Sequence, residues 1–131
     1  MSNDSINFMT ISELSENILE KKLSPSEIVQ ELLKTIKKLN PANKSFLYIA
    51  EEESIKKAHS IEKEISSGNY KGPLHGIPIG LKDLYETDNM PTTSGSVIFK
   101  DYQSNKNATS VQKLIDAGSI IIGKLNMHPF A

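Results

Sequence analysis

The sequence predicts an α/β fold. Three observations carry this: apolar residues recur at helical spacing through residues 1–70, a glycine- and proline-punctuated apolar run excludes helix around Ile77–Leu81, and a strand, crossover helix, strand pattern covers the last part of the chain. The expected architecture is therefore a set of N-terminal helices followed by the first strands of a sheet. With 131 residues there is room for one domain, at roughly 100–200 residues each. That domain divides into a helical stretch, 1–70, and a glycine-rich strand, loop and β-α-β stretch, 71–131.

The first helix is predicted from a capping box. Thr10 precedes Glu13 by three residues, so hydroxyl and carboxylate each satisfy an orphan N–H, with Met9 and Leu14 placed as a hydrophobic staple. Ile11, Leu14, Ile18 and Leu19 then mark one face. A second box follows at Ser24 and Glu27, with Pro25 at the first helical position, where a missing N–H costs nothing. Ile28, Val29, Leu32, Leu33, Ile36 and Leu39 continue it, and Asn40–Pro41 is expected to end it. Ser45–Ala50 reads as a short aromatic and branched strand. Residues 51–67 read as a helix carrying Ile55, Ala58, Ile61 and Ile65, with acids first and lysines later as the macrodipole favours, ended by Gly68.

In the second half, Gly72, Pro73, Gly76, Pro78 and Gly80 fall within nine residues. Turns around the strand Ile77–Leu81 follow from this, and Lys82–Asp83 ends that strand. After a turn-rich loop, Thr87–Gly95, a helix is expected over Ala108–Ala117, then Gly118 as its cap, then the strand Ser119–Gly123. Two strands joined through a helix are expected to lie parallel, and their near-continuous apolar runs suggest burial of both.

Composition excludes several functions. Sixteen acids stand against fifteen bases, all of them Lys, for a net charge of −1. There is neither a positive field for nucleic acid or an anionic membrane nor a single guanidinium fork. With no Cys, a disulfide framework, a thiolate zinc site and a cysteine nucleophile are all ruled out. His59, His75 and His128 share no ligand spacing, so no metal site is expected from them. No secretory leader pattern is present at the start and no apolar stretch approaches a membrane span, so a cytoplasmic location is expected.

Lys82 is the first polar side chain after the IPIGL strand, and loops outside the carboxyl ends of parallel strands are where open α/β sheets place their sites. By spacing alone it is a solvated lysine. As a general base, a lysine of ordinary pKa about 10.4 needs burial or a neighbouring cation, and a hydroxyl nucleophile within reach. Gly76, Gly80 and Lys82 do not make a phosphate loop, because three residues rather than four separate the glycines and Asp83 follows the lysine. Ser94, Gly95 and Ser96 read first as turn chemistry.

The strings GPLHGIPIGLKD, TTSGS and NATSVQKLIDAGSIIIGKLNMHPFA closely resemble the amidase signature family of serine amide hydrolases, which includes the A subunit of tRNA-dependent amidotransferases. The likeness is loose over the N-terminal helices and specific from Gly72 onward. It implies that Lys82 is the base of a Ser–cis-Ser–Lys triad, since it occupies the lysine of the family's Gly-x-Pro-x-x-x-Lys-Asp motif. It also implies a large mixed sheet and a small-molecule amide substrate in the complete protein, with no cofactor, metal, membrane or direct nucleic-acid contact.

No serine here matches the family's cis-serine or nucleophile, which lie downstream in its pattern, and Pro129 stands where the family usually has Glu. The resemblance therefore implies a truncated N-terminal portion, inactive alone. Two alternatives are a non-catalytic truncated product or interaction module, and a portion of an amidotransferase A subunit. Self-association through exposed strand edges is expected. Lys124, which follows the later strand as Lys82 follows the earlier one, is expected to matter much less.

Overall fold

The structure, a computed structural model, describes residues 3–131. A 3-10 turn, Asn3–Phe8, leads into α1 (Ile11–Leu19), α2 (Pro25–Asn43), β1 (Phe46–Ile49), α3 (Glu51–Ser66) and β2 (Pro78–Lys82). A second 3-10 turn, Val97–Phe99, precedes α4 (Thr109–Asp116) and β3 (Ile120–Leu125).

Both predicted capping boxes form. Thr10 Oγ1 accepts from the Glu13 N–H at 3.2 Å while Glu13 Oε2 accepts from the Thr10 N–H at 2.7 Å. Ser24 and Glu27 repeat this at 3.2 and 2.8 Å. α2 does not stop at Pro41, however. It runs on to Asn43 and ends at Lys44, whose backbone is left-handed (φ +52°) and whose N–H donates to Asn40 O at 2.9 Å. Proline in the last turn removes one helical hydrogen bond without blocking the two residues after it. The predicted faces are also narrower than their spacing suggested, since Ile11, Leu19 and Leu39 are about half exposed.

The strands form a three-stranded mixed sheet in the order β1-β3-β2. β2 and β3 are parallel, as the strand–helix–strand reading required, and β1 returns antiparallel on the other side of β3. The central strand is the buried one. β2, paired on one side only, keeps Pro78, Ile79 and Gly80 half-buried, which corrects the expectation that both strands are buried.

Ile120 and Ile122 of β3 pack against Val29, Leu33 and Ile36 of α2 and Ala58 and Ile61 of α3. A second cluster joins Leu14, Ile18, Ile28 and Ile77, tying α1 and the start of α2 to the segment entering β2. The register of β2 against β3 slips between Ile79 and Gly80, so that Gly80 pairs with Gly123 and Leu81 with Lys124. Such a bulge re-aims the residues beyond it. On its other side Gly123 lets β1 approach closely: a Cβ there would lie 2.2 Å from Tyr48 O. Among the described residues, no helix is long and apolar enough to cross a membrane.

Candidate active site

Lys82 closes β2 and its side chain is exposed. The chain turns sharply behind it: the N–H groups of Leu84 and Tyr85 both donate to Lys82 O, at 2.8 and 3.1 Å. Across the pair of strands Lys82 stands opposite Leu125 and Leu81 opposite Lys124. Neighbouring strand residues point to opposite faces. The two lysines therefore diverge, Lys82 into solvent and Lys124 into the protein.

The burial of Lys124 is complete, and unlike Lys82 it does not end its strand. β3 does not finish at Gly123 but continues through Lys124 and Leu125. Lys124 Nζ lies 3.1 Å from Asp83 Oδ1, with side-chain exposures of 0% and 1%. The ammonium also donates to Pro91 O at 3.0 Å and to Thr92 Oγ1 at 2.8 Å. Burial pushes the Lys124 amine below its ordinary range, against the opposing pull of the Asp83 carboxylate.

Asp83 binds the Thr92–Ser96 loop in turn. Its Oδ2 accepts from the Thr93 N–H at 3.0 Å and from the Thr93 hydroxyl, and its carbonyl accepts from the Ser94 N–H at 3.0 Å. Ser94 and Ser96 are half-buried in this loop. Ser94 has φ +52° and Gly95 φ +66°, and a Cβ on Gly95 would meet Met127 O at 2.7 Å. The Ser96 hydroxyl accepts from the Ile98 N–H at 3.2 Å, which is the turn chemistry read from the sequence.

The histidines do not meet. His59 is exposed on α3, His128 is exposed near the chain end, and His75 is fully buried. Its Nδ1 accepts from the Lys71 N–H at 3.1 Å, and its ring fills the space that Gly118 leaves.

Sequence reasoning put Lys82 at the end of its strand but did not foresee that the Thr-Thr-Ser-Gly-Ser loop packs at the same end, and it missed the pair that joins them. The available signal was a lysine directly after an apolar strand, IIIGK, in a chain where an acid, Asp83, follows the neighbouring strand. A lysine drawn into such a run needs a buried anion.

Fold and strand-end site together define an open-sheet α/β protein with its polar side chains gathered outside the carboxyl ends of two parallel strands. The chain belongs to the amidase signature family: the family model described as Amidase matches residues 27–131, beginning inside α2. It is 37% identical over 124 residues to the putative amidase AmiD of Mycobacterium tuberculosis, an alignment covering 95% of this chain and 26% of that protein. It is 40% identical over 121 residues to the A subunit of the glutamyl-tRNA(Gln) amidotransferase of Trichodesmium erythraeum, covering 92% of this chain and 25% of that one. Among solved structures, the native peptide amidase from Stenotrophomonas maltophilia superposes with a TM-score of 0.89 at 28% identity, covering 94% of this chain and 26% of its own. The chain thus spans about a quarter of the length of the relatives it matches.

Proposed function

We propose that the chain is the lysine-bearing portion of an amidase-signature amide hydrolase working in the cytoplasm, and that Lys82 is its general base. The observation that supports this is the position of Lys82: the last residue of a parallel strand, pointing away from the core, beside a hydroxyl-rich loop bonded to the next residue. In this reading the neutral Lys82 amine takes a proton relayed through one serine from a second serine, whose oxygen attacks the carboxamide carbon. The proton returns to the leaving nitrogen, ammonia or amine departs, and water hydrolyses the acyl-serine by the same relay. The desolvation that a lysine base needs comes from groups packed over this strand end, because in this chain the side chain stands in solvent.

In a protein that also carries the downstream segment, Lys82→Ala is expected to lower kcat by about 10²–10⁴-fold, with a smaller effect on KM. An unchanged kcat returns Lys82 to the role of a solvated strand-end lysine. The 131-residue chain by itself is expected to leave a fluorophosphonate serine probe unreacted, and stoichiometric labelling of Ser94 or Ser96 overturns that.

A second reading, in which the complete protein is the A subunit of an amidotransferase, is supported by the 40% identity to the Trichodesmium erythraeum protein, beside 37% to AmiD. It predicts copurification with partner subunits and tRNA. Hydrolysis of simple carboxamides without partners decides for the first.

A further inference from the structure

Lys124 is the one fully buried lysine among the described residues. Removing an ammonium and a carboxylate from water is costly, and well-packed apolar residues of similar volume usually serve stability as well or better. A pair kept under those terms calls for an explanation in what it holds.

Here it holds three segments at once. Asp83 belongs to the turn behind Lys82, Lys124 to β3, and Pro91, Thr92 and Thr93 to the loop. Thr92 extends the set, since its hydroxyl donates to Tyr85 O at 3.3 Å and its N–H to Tyr102 O at 3.0 Å. The Asp83 N–H donates to Leu125 O at 3.1 Å, fastening the same turn to β3. Asp83 Oδ1 has no contact that could replace the ammonium, as it takes no hydrogen bond of its own. Both faces of the bulge converge on this point. The register slip brings Lys124 level with Leu81 and leaves Lys82 on the opposite face.

We propose that the Asp83–Lys124 ion pair is the positioning device of this site: it locks the turn behind Lys82 and the Pro91–Ser96 loop into one rigid unit, so that the lysine amine meets the substrate in a single geometry. The proposal rests on the reading of Lys82 as the base. Lys124 and Asp83 act through Lys82 and the loop, and neither touches the reacting atoms.

The test uses the 131-residue chain with Lys124→Met, Asp83→Asn and the double change, beside Ile61→Ala, a core truncation far from this end, as the control for general loss of stability. Amide exchange at Thr93 and Ser94 is expected to rise about tenfold relative to Val29 and Ala58 in the same molecule when the pair is broken. The acylation rate of Lys82 relative to exposed Lys56 should change with it, by about threefold, because the strand end and turn that carry the amine are no longer fixed. Ile61→Ala should move neither ratio.

If a single variant fails to fold, the double variant, which strands no charge, carries the measurement. Unchanged loop exchange in the double variant overturns the proposal, as does an equal response from Ile61→Ala. In a protein with the downstream segment the double variant should lower kcat while KM holds. An unchanged kcat in Lys82→Ala would instead sink the base assignment, leaving the exchange result as it stands.

Discussion

His75 shows how much a single side chain decides here. Its imidazole is fully buried, with Nδ1 accepting a backbone N–H, so the ring proton sits on Nε2, 3.5 Å from Glu64 Oε2. Burial, reinforced by Lys71 and Lys57, holds its pKa below the ordinary histidine range, against the pull of Glu64. A group whose folded pKa is depressed takes up protons first in the unfolded chain, so its contribution is present above the unfolded value of about 6.5 and is lost as pH falls through the folded one. Urea midpoints measured from pH 7.5 to 5 should therefore fall for the native chain, and fall less steeply for His75→Gln. Parallel curves for the two would show that another group sets the pH dependence. Residue identity alone did not reveal this role, because the motif GPLHGIP reads as a turn and only the packing of Gly118 on the ring shows why an imidazole fits there. The position of Lys82 was legible for the opposite reason: it ends a strand that glycines and prolines punctuate in the sequence. Lys124 was illegible because a lysine after an apolar run looks like a strand terminator until its anion, forty-one positions away in sequence, is placed beside it.

At the scale of elements, the helix starts were the most readable part of the chain, since a capping box is a local device that needs only four residues to work. Ser24→Ala removes the hydroxyl that accepts from Glu27 N and leaves an orphan N–H at the start of the longest helix. The expected loss is about 1 kcal/mol in a urea melt, with Thr10→Ala similar or smaller. α1 is the shorter helix and leaves both Ile11 and Leu19 half exposed, so less of the fold depends on it. A Ser24→Ala chain as stable as the native one would mean that Pro25 and the packing of Ile28 and Val29 fix this start without the cap. Element ends were harder to read because they are set from outside. α2 passes Pro41 with the loss of a single helical hydrogen bond, and its end is set by the left-handed Lys44 and by Asn40, whose Oδ1 accepts from the Phe46 N–H at the entrance of β1 at 2.7 Å. β3 passes Gly123 because β1 and β2 both continue to pair with it as far as Leu125. No local signal encodes either event.

The whole molecule combines a helix-covered core with open strand edges. One layer of helices covers one face of the central strand, yet β1 and β2 each pair on a single side, and unpaired strand edges are templates for another chain. Close to the Lys82 end, Val97 and Ile98 are 84% and 76% exposed, while Phe99 stacks edge-on with both Tyr102 and Phe130 at centroid distances of 6.2 and 6.1 Å. Each large apolar side chain left in water forgoes roughly 1.5–3 kcal/mol, against a net stability of about 5–15 kcal/mol for a typical domain. The chain is therefore expected to associate with itself through these surfaces. Light scattering should report a mass that rises with concentration, and the urea midpoint should rise with it, because a partner that binds only the folded form stabilises it by mass action. Val97→Ser with Ile98→Ser should reduce that concentration dependence if the aromatic patch is the contact. If it is unchanged while Ile79→Lys on β2 abolishes it, the strand edge is the contact instead. A monomer at high concentration with a sharp, concentration-independent transition would show that these helices and three strands suffice as a domain, and that the open edges of β1 and β2 are tolerated without a partner.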